Sequence, residues 1–204
     1  TYHNYWTTGP HRAGDTGLSR YYGLGEGPAP EVVMGERDAE GQSHYDRIRA
    51  YYRNTDVTAY DESLFYDAET DSLTPLFYKS DRSMRESGFD PSNRFGPFNV
   101  GIIHHAPVGL NSFLYRYEKD LSAIMATLDR SDAAKRWDLR ADRLSAKFVG
   151  LVHKEFREYG VILEKCDLVQ RGVDVSASIQ YGYSENVIGF GWTNAVVLRL
   201  LKNV

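Results

Sequence analysis

The chain has 204 residues, of which 25% are charged and 42% hydrophobic, and its net charge is −4. These values are typical of an ordinary globular domain. The negative charge disfavours a nucleic-acid or acidic-membrane partner, and no apolar run reaches the roughly 18–20 residues that span a bilayer. The single cysteine, Cys166, excludes an internal disulfide and is typical of a reducing compartment, so we expect a cytoplasmic protein.

The first half of the chain gives weak signals for regular structure. Residues 1–30 show no helical period, and we predict irregular structure there. The glycine-rich stretch 23–28 resembles a phosphate-binding loop, but no buried strand precedes it and prolines follow it, so we predict a plain turn-rich loop. Residues 44–53 predict a short helix. Residues 56–79 are mixed, with turn-like acidic stretches between two short apolar runs, 64–66 and 76–78.

The second half carries clear helical patterns. Apolar residues recur every three or four positions from Leu110 to Leu128 and predict an amphipathic helix that begins near Pro107. A second apolar stripe follows Ser131, which we interpret as its N-cap, and ends at Gly160. This stripe covers about 28 residues, or roughly 42 Å if helical, which is unusually long for a domain of this size. A short apolar helix is predicted at residues 195–201.

The chain has 15 Tyr, 9 Phe and 3 Trp, an aromatic bias that suits either sugar faces or packing between helices. We favour packing. A metal site is not expected, because the neighbouring His104 and His105 would point to opposite faces of an extended chain and the other histidines lack ligand spacing. Cys166 is interpreted as a small buried hydrophobic residue rather than a nucleophile.

Two acids are candidates for proton chemistry. Asp90 lies in an irregular stretch between Gly88 and Pro91, where a side chain can be held at a cleft edge. Glu164 follows three apolar residues, and partial desolvation there would raise the pKa of its carboxyl group. The alternative is that Asp90 caps a turn and Glu164 pairs with Lys165 or a nearby arginine. Residue types alone leave both interpretations open.

Six blocks of the sequence occur in the order found in one enzyme family. RESGFD followed by R-F resembles a signature usually written ESGWD and S-x-R-W, EKCD resembles a Glu-Lys-Tyr segment, and GFGWTN is a nearly terminal motif. The six blocks are residues 16–21, 28–31, 85–95, 107–115, 164–167 and 189–194. Together they resemble the trehalase-type inverting glycosidases over most of the chain.

The resemblance implies a mainly α fold, the (α/α)6 toroid, and hydrolysis of an α-glycoside with inversion. It implies that Asp90 is the general acid and Glu164 the general base, about 6.5–9.5 Å apart with room for a water molecule. It also implies a small carbohydrate substrate and no metal or organic cofactor. The positions that match sugar-contacting motifs are Tyr21, Glu31, Arg85, Glu86, Gly88 and Trp192.

Departures from the family pattern bear on the substrate. Ala29 stands where the trehalase motif Arg-Pro-Glu-Ser has its arginine, and the glycine-rich GGEY segment is absent. Residues 180–187, 94–98 and 104–107 look more like the related glucosylglycerate and mannosylglycerate hydrolases. We therefore favour a hexosyl glycerate as substrate, with α,α-trehalose as the alternative.

The chain is about half the length that these enzymes usually have. We interpret residues 1–204 as a single catalytic domain that lacks N-terminal and central family segments, with a junction near residues 140–141. The overlong stripe would then be two different helices joined end to end. Apolar faces meant for the missing helices would be exposed, which leaves open a homo-oligomer, an unstable fragment, or a catalytically inactive sugar-binding or interaction module.

Overall fold

A computed structural model describes residues 1–58, 60–89, 95–162 and 191–201. The described part is mainly helical with one short hairpin. The elements in chain order are α1 (Tyr2–Thr7), α2 (Pro30–Val33), α3 (His44–Asn54), β1 (Tyr66–Asp67), β2 (Ser72–Leu73), α4 (Pro75–Ser87), α5 (Val108–Thr127), α6 (Ser131–Tyr159) and α7 (Gly191–Leu201). Short 3₁₀ segments lie at Gly9–His11, Gly14–Thr16 and Glu62–Leu64. Residues Pro97–His104 also contain 3₁₀ turns, interrupted at Phe98 and Asn99, which both have a φ of 57°. Within these ranges, no helix is both long and apolar enough to cross a membrane.

The structure divides into two compact units. The first unit contains residues 1–20, 104–162 and 191–201 of the described part, and the second contains residues 21–58, 60–89 and 95–103. Each unit has its own buried residues.

Helices α5, α6 and α7 pack against one another in the first unit. Their buried residues include Leu110 and Leu114 from α5 and Phe148 and Val152 from α6, as the apolar periodicity predicted. Helix α6 ends at Gly160, whose φ of 73° is the left-handed conformation that glycine adopts at low cost. The prediction that Ser131 caps this helix is wrong, because Arg130 occupies the N-cap position.

The N-terminal segment is more regular than predicted, since α1 forms within it and α2 begins at Pro30. Helix α1 is fixed by a buried pair in which His3 Nε2 lies 2.6 Å from Glu118 Oε1 of α5. Burial raises the pKa of the Glu118 carboxyl group, and the hydrogen bond with His3 opposes that change. The amide of buried Asn111 also bonds both the N–H and the C=O of Ser19, at 2.8 and 2.9 Å.

Helix α3 of the second unit forms close to where periodicity predicted it. Its first turn is closed by a capping box, in which Ser43 Oγ accepts from the Asp46 N–H and Asp46 Oδ2 accepts from the Ser43 N–H. Hydrogen bonds from Ser43 hold the pKa of the Asp46 carboxyl group below its usual value. The helix buries Tyr45, Ile48 and Tyr52 on one face.

Helix α4 was not predicted. It begins where Thr74 Oγ1 accepts a hydrogen bond from the Phe77 N–H at 3.2 Å, with Pro75 at the first helical position. Phe77 is fully buried, and its ring packs edge-on against the rings of Tyr45 and Tyr52, with ring centroids 6.3 and 6.4 Å apart. In this unit the aromatic residues therefore form a packed core, which is the interpretation that the sequence favoured.

Candidate active site

The candidate site is built at the C-terminal end of α4, which carries Arg85 and Glu86 in its last turn. The helix stops at Gly88, whose φ of 67° lies in the left-handed region that side chains with a Cβ disfavour. The Gly88 N–H bonds the Arg85 carbonyl at 3.2 Å, which closes the last turn. Three of the predicted substrate-contacting residues are therefore fixed by one helix end.

Arg85 is held by a carboxylate one turn earlier on the same helix. Its Nε and Nη2 donate to Asp81 Oδ2 and Oδ1 at 3.0 and 3.2 Å. Asp81 is only 2% exposed, and its Oδ2 also accepts a 2.7 Å hydrogen bond from the Tyr45 hydroxyl of α3. Glu31 of α2 lies on the solvent side, with Oε1 3.8 Å from Arg85 Nε. Two carboxylates thus surround one guanidinium group.

Glu86 faces the loop that precedes α2. Its Oε2 accepts a hydrogen bond from the Tyr22 N–H at 2.7 Å. The neighbouring Tyr21 is buried, and its ring lies edge-on to the Phe89 ring at 5.7 Å. Residues 21 and 22 are therefore attached to the same helix end as Arg85.

The glycine-rich stretch 23–28 is held by two cations of α4. Lys79 Nζ donates to the carbonyls of Gly23 and Gly25 at 3.1 and 2.8 Å. Arg82 donates to the carbonyls of residues 26, 27 and 28 at 3.0, 2.8 and 2.8 Å. The loop therefore turns carbonyl oxygens toward two cations, whereas a phosphate-binding loop presents backbone N–H groups to its ligand. This agrees with the predicted plain loop.

The electrostatics of the site keep its hydrogen-bond donors protonated. Burial and the hydrogen bond to Asp81 raise the pKa of the Tyr45 hydroxyl. Burial works to lower the pKa of Arg85, but the hydrogen bonds and charge of Asp81 outweigh it and raise that pKa. Burial lowers the pKa of His44 against the opposing charge of Asp81. Near neutral pH, Tyr45 is therefore a neutral donor and Arg85 a cation.

The predicted site residues fall into three groups. Tyr21, Glu31, Arg85, Glu86 and Gly88 lie in the second unit, where Glu31 and Arg85 are adjacent. Trp192 is the second residue of α7 in the first unit. Asp90 and Glu164 lie outside the described residues, so their predicted roles stay predictions.

Two residues of the site were not predicted from the sequence. Asp81 and Tyr45 belong to none of the family blocks, yet they hold Arg85 in place. The spacing of Asp81 and Arg85, four residues apart on what proves to be a helix, is the signal that could have paired them. In the part of the chain that the structure describes, no three His, Cys, Asp or Glu side chains converge to hold a metal ion.

Comparison with known proteins identifies the family. The trehalase family model matches the chain in two overlapping parts, residues 1–143 and 138–204. The chain belongs to the trehalase family. The two matches meet within α6, in the region where the sequence predicted a junction.

The relatives of this trehalase-family chain are named trehalases. The cytosolic neutral trehalase of Saccharomyces cerevisiae is 34% identical over 59% of this chain and 15% of its own length. A probable trehalase of Eremothecium gossypii is 36% identical over 61% of this chain and 16% of its own length. The matched part of this chain therefore spans about a sixth of the length of these curated relatives. A closer likeness to glucosylglycerate and mannosylglycerate hydrolases is not supported by these findings.

A solved structure supports the fold prediction. The neutral trehalase Nth1 from Saccharomyces cerevisiae matches with a TM-score of 0.54 at 23% identity, over 81% of this chain and 30% of that one. Its fold is the (α/α)6 toroid, and this chain has the mainly helical fold of part of it. At this identity the likeness concerns the fold alone.

Proposed function

We propose that this chain takes part in the hydrolysis of α,α-trehalose to two glucose molecules, with inversion at the attacked carbon. The observation that carries the proposal is the trehalase-family match along the chain, which includes the RESGFD segment. The relatives that it matches are named trehalases. Trehalose therefore replaces the hexosyl glycerate that the sequence favoured.

The surroundings of Arg85 also support an uncharged substrate. A glycerate glycoside needs a cation to bind its carboxylate, and an arginine with a free charge is the usual choice. The Arg85 guanidinium already contacts Asp81 and has Glu31 at 3.8 Å, so its charge is compensated. Such a group donates hydrogen bonds to neutral hydroxyls more readily than it attracts a further carboxylate.

The proposed chemistry uses two carboxyl groups. Asp90 gives its proton to the glycosidic oxygen as the bond to the anomeric carbon breaks, and one glucose leaves. Glu164 takes a proton from a water molecule whose oxygen bonds to that carbon from the opposite face. Asp90 then needs a raised pKa and Glu164 an ordinary one, which requires different surroundings. Arg85, Glu86 and Glu31 would bind hydroxyl groups of the same sugar substrate.

We propose the cytosol as the place of action, because the relatives that the chain matches include several named cytosolic neutral trehalases. The carbohydrate is the only partner in this proposal.

The substrate is tested by incubating the purified protein separately with trehalose, glucosylglycerate and mannosylglycerate and measuring released hexose. We expect release from trehalose and at least about tenfold less from either glycerate. The Glu164→Gln variant, purified identically, controls for trehalase from the expression host and should release almost nothing. Faster release from a glycerate would refute the substrate. Binding of trehalose without release from any of the three would instead support a sugar-binding module.

We also propose that a central family segment is missing between residues 140 and 141. The family model matches in two parts that meet there, and α6, with 29 residues, is long enough to combine two ordinary helices. Cleavage of the natural protein after glutamate should yield a peptide of residues 119–155, detectable by mass spectrometry. Peptides with further sequence between Arg140 and Ala141 would contradict the proposal.

A further inference from the structure

The buried carboxylate of Asp81 is the centre of a small network in the second unit. It accepts three hydrogen bonds, one from the Tyr45 hydroxyl and two from the Arg85 guanidinium, at 2.7, 3.0 and 3.2 Å. A carboxylate that is 2% exposed would be very unfavourable without such partners. The network is therefore a buried, hydrogen-bonded part of the second unit, unlike an ion pair on the surface.

The same network reaches the segment that carries Glu31. The Tyr45 hydroxyl accepts a 2.9 Å hydrogen bond from the Ala29 N–H while it donates to Asp81. Ala29 is the N-cap of α2, and Glu31 lies in the first turn of that helix. One hydroxyl group thus fixes the position of α2 relative to α4.

One edge of the Arg85 guanidinium has no hydrogen-bond partner among the residues that the structure describes. Asp81 occupies the edge formed by Nε and Nη2, and none of the residues that the structure describes forms a hydrogen bond with Nη1. The side chain is 27% exposed, so the guanidinium reaches the surface. The buried carboxylate of Asp81 fixes its position. A planar guanidinium held on one edge presents its remaining N–H donors in a fixed direction.

We propose that Tyr45 and Asp81 are positioning residues, which fix Arg85 so that its Nη1 edge donates hydrogen bonds to the hydroxyls of a bound sugar. The proposal rests on the proposed function, because the sugar is its ligand. A free arginine side chain loses rotamer freedom when it binds, and fixing it beforehand removes part of that cost. Tyr45 and Asp81 act through Arg85 and need not touch the substrate.

The positioning itself is measured without any turnover. In ¹⁵N-edited NMR, the Arg85 Hε proton should exchange slowly with water because it is bonded to Asp81, and Arg85→Lys identifies its signal. We expect Asp81→Asn to speed this exchange by roughly tenfold or more, since it removes a charged hydrogen bond. Tyr45→Phe keeps Asp81 and should give a smaller acceleration in the same direction.

Tyr52→Phe is the matched control. Tyr52 is a buried tyrosine of the same helix, and its hydroxyl lies 2.7 Å from the Tyr60 hydroxyl rather than near Arg85. It should leave the Arg85 signal unchanged although it also removes a buried hydroxyl. If Asp81→Asn does not fold, Tyr45→Phe against Tyr52→Phe carries the test. An Arg85 exchange rate unaffected by Tyr45→Phe and by any folded Asp81→Asn protein would overturn the proposal.

Kinetics connect the positioning to the sugar. With trehalose, Asp81→Asn should raise KM by about tenfold and change kcat by less than about threefold, because the lost binding is common to ground state and transition state. An unchanged KM in a variant whose Arg85 signal has lost its protection would also overturn the proposal. If the unmodified chain releases no glucose, the proposed function fails, while the Arg85 exchange rates still decide the positioning.

Discussion

Replacing Asp90 with asparagine should lower kcat for trehalose hydrolysis by roughly 10²–10⁴-fold, the range that a general acid or base supplies. Asparagine keeps the size of the side chain but has no proton to give to the glycosidic oxygen. The rate is measured as glucose release under substrate saturation. Asp138→Asn provides the control, since it removes a partly exposed pair with Lys119 in α5 and should leave the rate within about twofold.

A substrate with a better leaving group distinguishes the general acid from the general base. With α-glucosyl fluoride, whose departing fluoride needs less protonation than a sugar hydroxyl, Asp90→Asn should recover much of the lost rate. Glu164→Gln should stay defective with both substrates, because each still requires an activated water molecule. Equal losses in Asp90→Asn with trehalose and with the fluoride would contradict the assignment of Asp90 as the acid.

Phe77→Ala should reduce the free energy of unfolding of the second unit by roughly 3–5 kcal/mol, as expected for a phenylalanine removed from a packed core. Phe77 is 0% exposed and makes ring contacts with Tyr45, Tyr52 and Phe98 at 6.3, 6.4 and 6.5 Å. The loss combines the buried apolar surface with the cavity that alanine leaves. Urea unfolding followed by tyrosine fluorescence measures it, provided that the m value is unchanged.

The matched control for this substitution is Phe113→Ala in α5. Phe113 is 75% exposed, so the same change removes little buried surface and should alter stability by less than about 0.5 kcal/mol. A loss below about 1 kcal/mol for Phe77→Ala would mean that the aromatic residues around it are not a packed core.

The helices that could be predicted are those that bury an apolar stripe. Helices α5 and α6 repeat their apolar residues every three or four positions, and the structure confirms both within one or two residues of their predicted bounds. Helix α4 lacks such a stripe because its buried face includes Ser80, Asp81 and Ser83. The residues that indicate its two ends are the caps, Thr74 and Gly88. Without an apolar periodicity between them, these caps did not predict a helix.

The candidate site could be predicted only where the family blocks reach. They led to Glu31 and Arg85, which the structure places 3.8 Å apart. They did not lead to the pair of Tyr45 and Asp81, because these residues are 36 positions apart and only packing of α3 against α4 joins them. Helix α1 was not predicted for the same reason, because the buried partner of its His3 is Glu118, 115 residues away.

Proton NMR of the anomeric signals during the first minutes of reaction shows whether this chain hydrolyses trehalose with inversion. Inversion at one ring releases one β-glucose, while the departing ring keeps its α configuration, so we predict equal initial amounts of the two anomers. Initial release of α-glucose alone would show retention and contradict the proposed roles of Asp90 and Glu164.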